Sequence, residues 1–410
     1  MKRRLVSFTA LVIAFRAAAV FAQDPALAQA AVYRIRMSIA DDLGEVAGSL
    51  DVQYTNRERA PIGSIVFFLF PNLTPGSLEI REARVAGRRV LPEYRQKRSV
   101  LVVRLPAPLA AGVKVSIGLD YSVSVPAGSD GTYGLLSHGE GYLSLAFAYP
   151  MIPSRGAWNH PLPVAYGDFL TNDASSYFAQ VFVPAGYEIA APGTVTRRKA
   201  PGGRTDVSIS LAPARDLYMA VARGWVRSER RENGVTVASY AARDAGDSSK
   251  LVISTALSAL ACFGRRFGPY PYDALTFVSL PFDAYGCEFS GIVLESARLH
   301  DPAFVDRGVP SLILLESTTA HEAAHQWFYG IVGRDQLLKP WLDEGIAQYA
   351  TLLYYRDRCG ETGARSTRRR SAAPSCTAGP RSSSRRCPTA WAPRPSTGSC
   401  ASTAGDSGGR

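Results

Sequence analysis

The first half of the chain alternates apolar and polar positions with the two-residue period of half-buried β-strands. Apolar side chains from Val113 to Tyr121 alternate with polar or small ones, and the stretch from Leu50 to Tyr54 repeats the pattern. Turn-forming segments such as Pro201-Gly202-Gly203 separate the strand candidates. This pattern predicts one antiparallel, sandwich-like β domain over residues 31–225, within the usual size of a single domain.

Near Val235 the pattern changes to alternating strands and helices. The predicted elements are a strand at 235–240, a helix at 247–267, buried strands at 275–280 and 289–294, and helices at 310–330 and 341–355. The fold class is therefore multidomain. An α/β domain over residues 226–355 follows the N-terminal β domain.

The predicted helix at 310–330 carries the motif His321-Glu322-Ala323-Ala324-His325. Histidines four positions apart lie on one helical face, so both imidazoles can bind one metal ion. Glu322 lies beside them and can take a proton from a metal-bound water, as in the H-E-x-x-H motif. Glu344 follows after eighteen intervening residues and is predicted as the third ligand of one Zn²⁺ ion.

The alternative is an accidental helical surface. The chain has only five histidines, two of which are His321 and His325, and no lysine or arginine occurs from Pro310 to Gly333. Two imidazoles and a carboxylate in such an apolar helix carry a desolvation cost unless they are paired or bound to metal. These observations favour the zinc site. The lone histidines of the predicted β domain, His138 and His160, are interpreted as surface or hydrogen-bonded residues.

The formal net charge of +11 would by itself suggest a nucleic-acid or anionic-lipid partner. Residues 359–410, however, contain nine arginines against two acidic residues, so most of the net charge lies in the last 52 residues. No nucleic-acid partner is therefore predicted. The body of the chain contains only Cys262 and Cys287, and no disulfide framework is indicated.

The N-terminus has the pattern of a secretory signal peptide. Lys2, Arg3 and Arg4 precede an apolar run, and small residues follow, so residues 1–22 are predicted as the signal, with cleavage after Ala22 or after Ala28. The predicted location is secreted or periplasmic. An uncleaved N-terminal membrane anchor is the alternative.

Beyond Tyr355 the composition changes abruptly. Residues 356–410 contain no Leu, Ile, Val, Phe, Met or Tyr, and such a segment cannot bury enough apolar surface to offset its ordering entropy. A disordered, basic, low-complexity tail is predicted. A shifted reading frame after codon 355 and a genuine basic tail are the two interpretations, and the first is preferred.

The segments His321–Phe328 and Trp341-Leu342-Asp343-Glu344-Gly345 together resemble the M1 family of zinc aminopeptidases, whose pattern is H-E-x-x-H, eighteen residues, then E. Gly286-Cys287-Glu288-Phe289-Ser290-Gly291 is similar to the G-x-M-E-N or G-M-E-Y-P-G segment of that family, with Cys287 at the methionine position and Ser290 at the proline position. The resemblance covers roughly residues 31–355.

The resemblance implies a β saddle domain packed on a thermolysin-like zinc domain, here incomplete. It implies that Glu288 binds the free α-ammonium group of peptide substrates, that His321, His325 and Glu344 bind zinc, and that Glu322 is the general base. An ionised carboxylate in a cleft pairs with a cation, which agrees with the role of Glu288. The alternative for Glu288 is a surface glutamate at a strand edge.

The sequence departs from the family pattern in two ways. Thr351 occupies the position of a carboxylate seven residues beyond the third ligand, and no tyrosine follows Tyr355, although the family uses a later tyrosine to stabilise the oxyanion. The alternative function is therefore an inactive M1-like zinc-binding or interaction protein. The sequence does not indicate an oligomeric state.

Overall fold

The computed structural model describes residues 25–130, 133–158, 172–333, 336, 339 and 341–368. The predicted signal peptide, residues 1–22, and His160 lie outside the described residues. Within the described ranges, no helix combines the length and the apolar character that crossing a bilayer requires.

The N-terminal part consists mainly of β-strands. A four-residue helix, α1 (Pro25–Ala28), comes first. The strands that follow are β1 (Val32–Ile39), β2 (Glu45–Thr55), β3 (Ile62–Phe68), β4 (Ser77–Val85), β5 (Arg88–Val90), β6 (Glu93–Arg95), β7 (Val100–Leu109), β8 (Lys114–Ser124), β9 (Leu136–Gly139), β10 (Tyr142–Leu145), β11 (Ser175–Val183), β12 (Glu188–Ala190), β13 (Thr194–Lys199), β14 (Thr205–Ala214) and β15 (Met219–Ala222). Short 3₁₀ turns lie at Phe70–Leu73, Arg155–Ala157 and Pro201–Gly203.

These strands form three sheets in the described part of the chain. The largest has eight strands in the order β13-β14-β11-β1-β2-β8-β4-β5, and the others have the orders β12-β15-β10-β9 and β3-β7-β6. Ile117, Leu119 and Tyr121 of β8 are buried, as the alternation predicts. The sheet is not purely antiparallel, because β1 and β11 pair in parallel, with Val32 opposite Ser176. The antiparallel prediction is wrong for this pair, which joins strands far apart in the sequence.

The second part combines one mixed sheet with helices. Its elements are β16 (Trp225–Glu232), β17 (Val235–Ala242), α2 (Gly246–Phe267), β18 (Ala274–Leu280), β19 (Gly286–Phe289), β20 (Ile292–Ser296), a 3₁₀ turn (Ala297–His300), β21 (Val305–Asp306), β22 (Val309–Pro310), α3 (Ser311–His325) and α4 (Trp341–Arg368). The five-stranded sheet has the order β16-β17-β18-β20-β19, and β21 and β22 form a separate short hairpin. An N-terminal β part and a helix-bearing second part are present, as predicted.

Residues 289–294 form a hairpin rather than the single predicted strand. Strand β19 ends at Phe289, Gly291 has a φ of 74°, and β20 returns antiparallel from Ile292. Glycine adopts this left-handed conformation without the steric cost that a Cβ atom brings. The prediction is wrong because both strands are buried on both faces, so the apolar run continues across the turn without alternation.

The two faces of the five-stranded sheet belong to different cores. Phe277 and Val293 pack with α2, α3 and α4, whereas Phe289 and Leu294 pack with the β sheets of the N-terminal part. The ring of Phe289 stacks on Tyr218 with centroids 4.2 Å apart. Apolar packing is therefore continuous across residue 225, and the domain limits of 31–225 and 226–355 remain predictions.

Helix α4 extends beyond its predicted end. It runs to Arg368, 13 residues past Tyr355, so the prediction of disorder is wrong for residues 356–368. Asp357 pairs with Arg265 and Arg266 of α2, and Arg358 pairs with Glu316 of α3. These contacts attach the first turn after Tyr355 to the neighbouring helices. The rest of the predicted tail, residues 369–410, lies outside the described residues.

Candidate functional site

Helix α3 is the element that carries the predicted metal ligands. Every residue from Ser317 to His325 is buried. Ala320, Ala323 and Ala324 favour a helix and let neighbouring elements approach closely. The helix begins directly after Pro310 and ends at His325, and the segment Gln326–Ile331 that follows is irregular, with non-helical backbone dihedrals at Phe328 and Tyr329.

His321, His325 and Glu344 come together at one point. The Nε2 atoms of His321 and His325 are 3.1 Å apart. Glu344 reaches them from the first turn of α4, with its Oε2 3.3 Å from His321 Nε2 and its Oε1 3.5 Å from His325 Nε2. All three residues are at most 9% exposed.

These distances fit one tetrahedral metal ion. Zinc binds nitrogen and carboxylate ligands at about 2.0–2.1 Å, which spaces the ligand atoms of a tetrahedral site about 3.3 Å apart. The observed separations lie between 3.1 and 3.5 Å. Two imidazole nitrogens and a carboxylate oxygen are a ligand set that zinc prefers, and they converge here at the spacing of a tetrahedral site, so the residues present fit the metal.

The tautomer of His325 is fixed by its backbone partner. Its Nδ1 lies 3.1 Å from the carbonyl oxygen of Phe328, which can only accept, so Nδ1 donates and carries the proton. In the neutral ring, the lone pair is then on Nε2, which faces His321 and Glu344. Burial lowers the pKa of His325, which favours the neutral form that binds metal.

Glu344 lies where a helix favours an anion. It belongs to the first turn of α4 together with Asp343, near the positive end of the helix dipole. Asp343 accepts the backbone N–H of Glu344 at 2.8 Å, and Gln336 donates to the other oxygen of Asp343 at 3.0 Å. Asp343 therefore connects the first turn of α4 to Gln336 in the preceding segment.

Glu322 faces β19 rather than solvent. It is 5% exposed, and the backbone of Gly286 lies so close that a Cβ atom there would be 2.5 Å from Glu322 Oε1. Burial raises the pKa of Glu322 to about 8, His321 opposes this shift, and the negative charges of Glu344 and Glu295 add to it. A carboxyl group with such a pKa can both take up and release a proton near neutral pH.

Glu288 lies on β19 at the edge of the five-stranded sheet, but it is buried rather than at the surface. It is 5% exposed, and its Oε1 is 3.8 Å from Nδ1 of His325. Side-chain oxygens of Glu288 and Glu322 and a nitrogen of His325 all lie within 4.8 Å of one another. The structure therefore brings Glu288 beside the metal ligands.

Sequence reasoning missed Gln326, which joins the end of α3 to the hairpin that carries Glu288. Its Oε1 accepts the N–H of Gly291 at 2.9 Å, and its Nε2 donates to the carbonyl of Phe289 at 3.0 Å. The available signal was its position directly after His325, because a side chain one residue past a ligand is well placed to orient the surroundings of the site.

A buried polar group behind the site was also missed. Glu295, fully buried on β20, accepts a hydrogen bond from Thr319 of α3 at 2.6 Å, and its other oxygen lies 3.4 Å from Nε2 of His300. His300 in turn contacts Ser248 at 3.0 Å through Nδ1. No local sequence pattern identifies these residues, since they come from α2, α3, β20 and a 3₁₀ turn.

The tyrosines of α4 point elsewhere. The hydroxyl of Tyr354 donates to Glu316 at 2.9 Å, and Tyr349 is 58% exposed. Thr351, at the position where the family pattern has a carboxylate, is buried and donates to the carbonyl of Ala347. Cys262 and Cys287 are both buried.

Part of the chain is similar in sequence to known proteins. Residues 253–378 match the peptidase family M1 domain. Aminopeptidase M1-B of Oryza sativa subsp. japonica is 32% identical over 124 residues, which are 29% of this chain and 14% of that protein. Aminopeptidase N of Canis lupus familiaris is 37% identical over 95 residues, which are 22% of this chain and 10% of that protein. The chain thus covers less than a fifth of these curated relatives.

Solved structures show the same fold. An M1 zinc metallopeptidase from Deinococcus radiodurans aligns with a TM-score of 0.57 and 20% identity, over 83% of this chain and 74% of that one. A mutant of that enzyme bound to a Tyr-Ser-Ala substrate aligns with the same TM-score and 21% identity, over 83% of this chain and 75% of that one. The fold is that of two-domain M1 metallopeptidases.

Proposed function

Because residues 253–378 carry the peptidase family M1 domain, we propose that the protein is a zinc-dependent aminopeptidase that hydrolyses the N-terminal bond of peptides. The observation that carries the proposal is the convergence of His321, His325 and Glu344 at separations of 3.1–3.5 Å. These residues would hold one zinc ion. Zinc, when bound, lowers the pKa of its water and polarises the scissile carbonyl.

Glu322 is proposed as the general base. Its carboxylate takes a proton from the attacking water and then delivers it to the amine of the leaving product. Burial, which raises the pKa of this group to about 8, keeps its basicity high enough for the first transfer. A cation bound by the neighbouring ligands would lower that pKa, because opposite charge favours the ionised form.

Glu288 is proposed to bind the α-ammonium group of the substrate. Its carboxylate is buried next to His325, so an ion pair with an ammonium group there is poorly screened by water. Anchoring the free amine at a fixed distance from the ligands restricts cleavage to the first peptide bond. This is the difference between an aminopeptidase and an endopeptidase acting through the same metal site.

The substrates are peptides with a free N-terminus, and the proposed location is secreted or periplasmic. The basic start and apolar run of residues 1–22 support that location. A second candidate is an inactive zinc-binding or interaction protein of the same fold. The engagement of Tyr354 with Glu316 favours it, because this tyrosine is thereby turned away from the site.

Turnover of an amino-acyl amide tests the proposal directly. Leucine p-nitroanilide is incubated with the zinc-loaded chain, with its His321→Ala variant and, separately, as the N-acetyl derivative. The proposal predicts release of nitroaniline from the free-amine substrate by the wild type alone. Zinc binding without turnover would instead support the inactive candidate, and equal turnover of the acetylated substrate would contradict the role of Glu288.

A further inference from the structure

Two adjacent residues of the N-terminal part reach the site from the loop between β14 and β15. We propose that Arg215 and Asp216 are positioning residues that hold the hairpin of Glu288 and the segment after His325 in a fixed relation. The proposal rests on the proposed function and adds residues that do not touch the metal ligands.

Asp216 joins the two parts of the site through its carboxylate. It is fully buried, and its Oδ1 accepts the backbone N–H of Ser290 at 3.1 Å. Its Oδ2 contacts the hydroxyl of Ser290 at 3.5 Å and accepts a hydrogen bond from the hydroxyl of Tyr329. One carboxylate therefore binds the turn of the β19–β20 hairpin and the segment Gln326–Ile331 after α3.

Arg215 holds the same two segments with its backbone and its side chain. Its backbone N–H donates to Ser290 Oγ at 3.0 Å. Its Nε donates to the carbonyls of Tyr329 at 2.6 Å and Gly330 at 3.1 Å, and an Nη donates to Ile331 at 3.2 Å. The planar guanidinium thus satisfies three consecutive carbonyls at the end of the segment Gln326–Ile331.

The packing around Arg215 leaves no room for a larger neighbour. A Cβ atom on Gly333 would lie 1.9 Å from the guanidinium carbon of Arg215. The other Nη donates to the carbonyl of Asn172 at 2.8 Å, which ties the side chain to a second loop of the N-terminal part. The guanidinium is therefore held on several sides.

The two segments held in this way carry different functions. Ser290 is two residues from Glu288, so its position determines where the amine-binding carboxylate lies. Tyr329 directly follows Phe328, whose carbonyl fixes the Nδ1–H of His325. Removal of the Ser290 contact should therefore affect the amine site, whereas removal of the Tyr329 contact should affect the metal site.

The test uses conservative variants on a Glu322→Gln background, which allows binding to be measured without turnover. Ser290→Ala removes the hydroxyl that contacts both the backbone N–H of Arg215 and the carboxylate of Asp216. Tyr329→Phe removes the hydroxyl that donates a hydrogen bond to Asp216. Ser137→Ala and Tyr33→Phe are matched controls, because each removes a buried hydroxyl within the N-terminal part. The hydroxyl of Ser137 donates to the carbonyl of Gly134, and that of Tyr33 accepts the N–H of Ile152. Zinc affinity is measured by chelator competition. Amine binding is measured by calorimetry with L-leucinamide and N-acetyl-L-leucinamide at saturating zinc.

We expect Ser290→Ala to weaken leucinamide binding about tenfold with little change in zinc affinity, and Tyr329→Phe to weaken zinc affinity about tenfold. Arg215→Lys keeps the positive charge but loses the planar guanidinium group. If either variant fails to fold, Arg215→Lys should weaken zinc affinity about tenfold instead. Variants that behave like the controls, or that lose both affinities in parallel, would overturn the positioning role. A parent that binds zinc but does not distinguish the two amides would contradict the proposed amine site as well.

Discussion

The backbone of Gly286 lies against the carboxyl group of Glu322, and a Cβ atom at position 286 would be 2.5 Å from Glu322 Oε1 and 2.7 Å from its Cγ. Gly286 belongs to the edge strand β19, which also carries Glu288. The same strand therefore limits the position of the proposed base and supplies the proposed amine ligand.

Replacement of Gly286 by alanine should displace Glu322 without disturbing the metal. We expect kcat for an amino-acyl amide to fall about 10–100-fold, since a shift of about 1 Å in a reacting group can cost that much. Zinc affinity should remain within a few-fold of the wild type. Gly264→Ala is the matched control, because a Cβ atom at that position of α2 meets nothing within 4 Å. Unchanged kcat in Gly286→Ala would show that Glu322 is not held by β19.

Replacement of Gln326 by leucine should destabilise the hairpin that carries Glu288. The change leaves the N–H of Gly291 and the carbonyl of Phe289 buried without their partner. We expect the free energy of unfolding, measured by urea denaturation, to fall by about 2–6 kcal/mol, because each of the two buried unsatisfied groups costs about 1–3 kcal/mol. Gln53→Leu, at an exposed position, should change it little. Similar losses in both variants would contradict the role of Gln326.

Asp216 should make stability depend on pH in the acidic range. Burial raises the pKa of Asp216 to about 6. Hydrogen bonds from Tyr329 and Ser290 lower this pKa, but burial is the larger effect. The folded state then binds a proton more tightly than the unfolded state, so this contribution to stability is full below about pH 4 and is lost as pH rises through about 6.

The measurement compares wild type and Asp216→Asn by denaturation between pH 4 and pH 7. As pH rises from 4 to 7, wild type should lose roughly 3 kcal/mol of unfolding free energy relative to Asp216→Asn. A constant difference, or one that grows in favour of wild type as pH rises, would contradict the raised pKa.

Much of the site could be predicted from sequence because its chemistry is local. His321 and His325 are one helical turn apart, and the start of α4 is marked by Asp343 and Glu344. The hairpin at Ser290-Gly291 could not be predicted, since β19 and β20 are buried on both sides and show no alternation. The contacts of Asp216 with Ser290 and Tyr329 span 74 and 113 residues and leave no local pattern.

The end of α4 was missed for a related reason. Composition after Tyr355 predicts that little apolar surface is buried, and that estimate ignores ion pairs with other elements. Asp357 binds Arg265 and Arg266, and Arg358 binds Glu316, so charged side chains attach the helix beyond its apolar part. Such pairs depend on the arrangement of α2, α3 and α4, which the sequence pattern alone does not provide.

Zinc stoichiometry and affinity test the central claim most directly. Metal content by mass spectrometry and dissociation constants by chelator competition are measured for wild type, His321→Ala, Glu344→Gln and His138→Ala, whose histidine lies on β9. We predict one tightly bound zinc per chain in wild type and His138→Ala, and a loss of affinity of at least 100-fold in the other two. Wild-type affinity in His321→Ala or Glu344→Gln, or no zinc bound by wild type, would contradict the account.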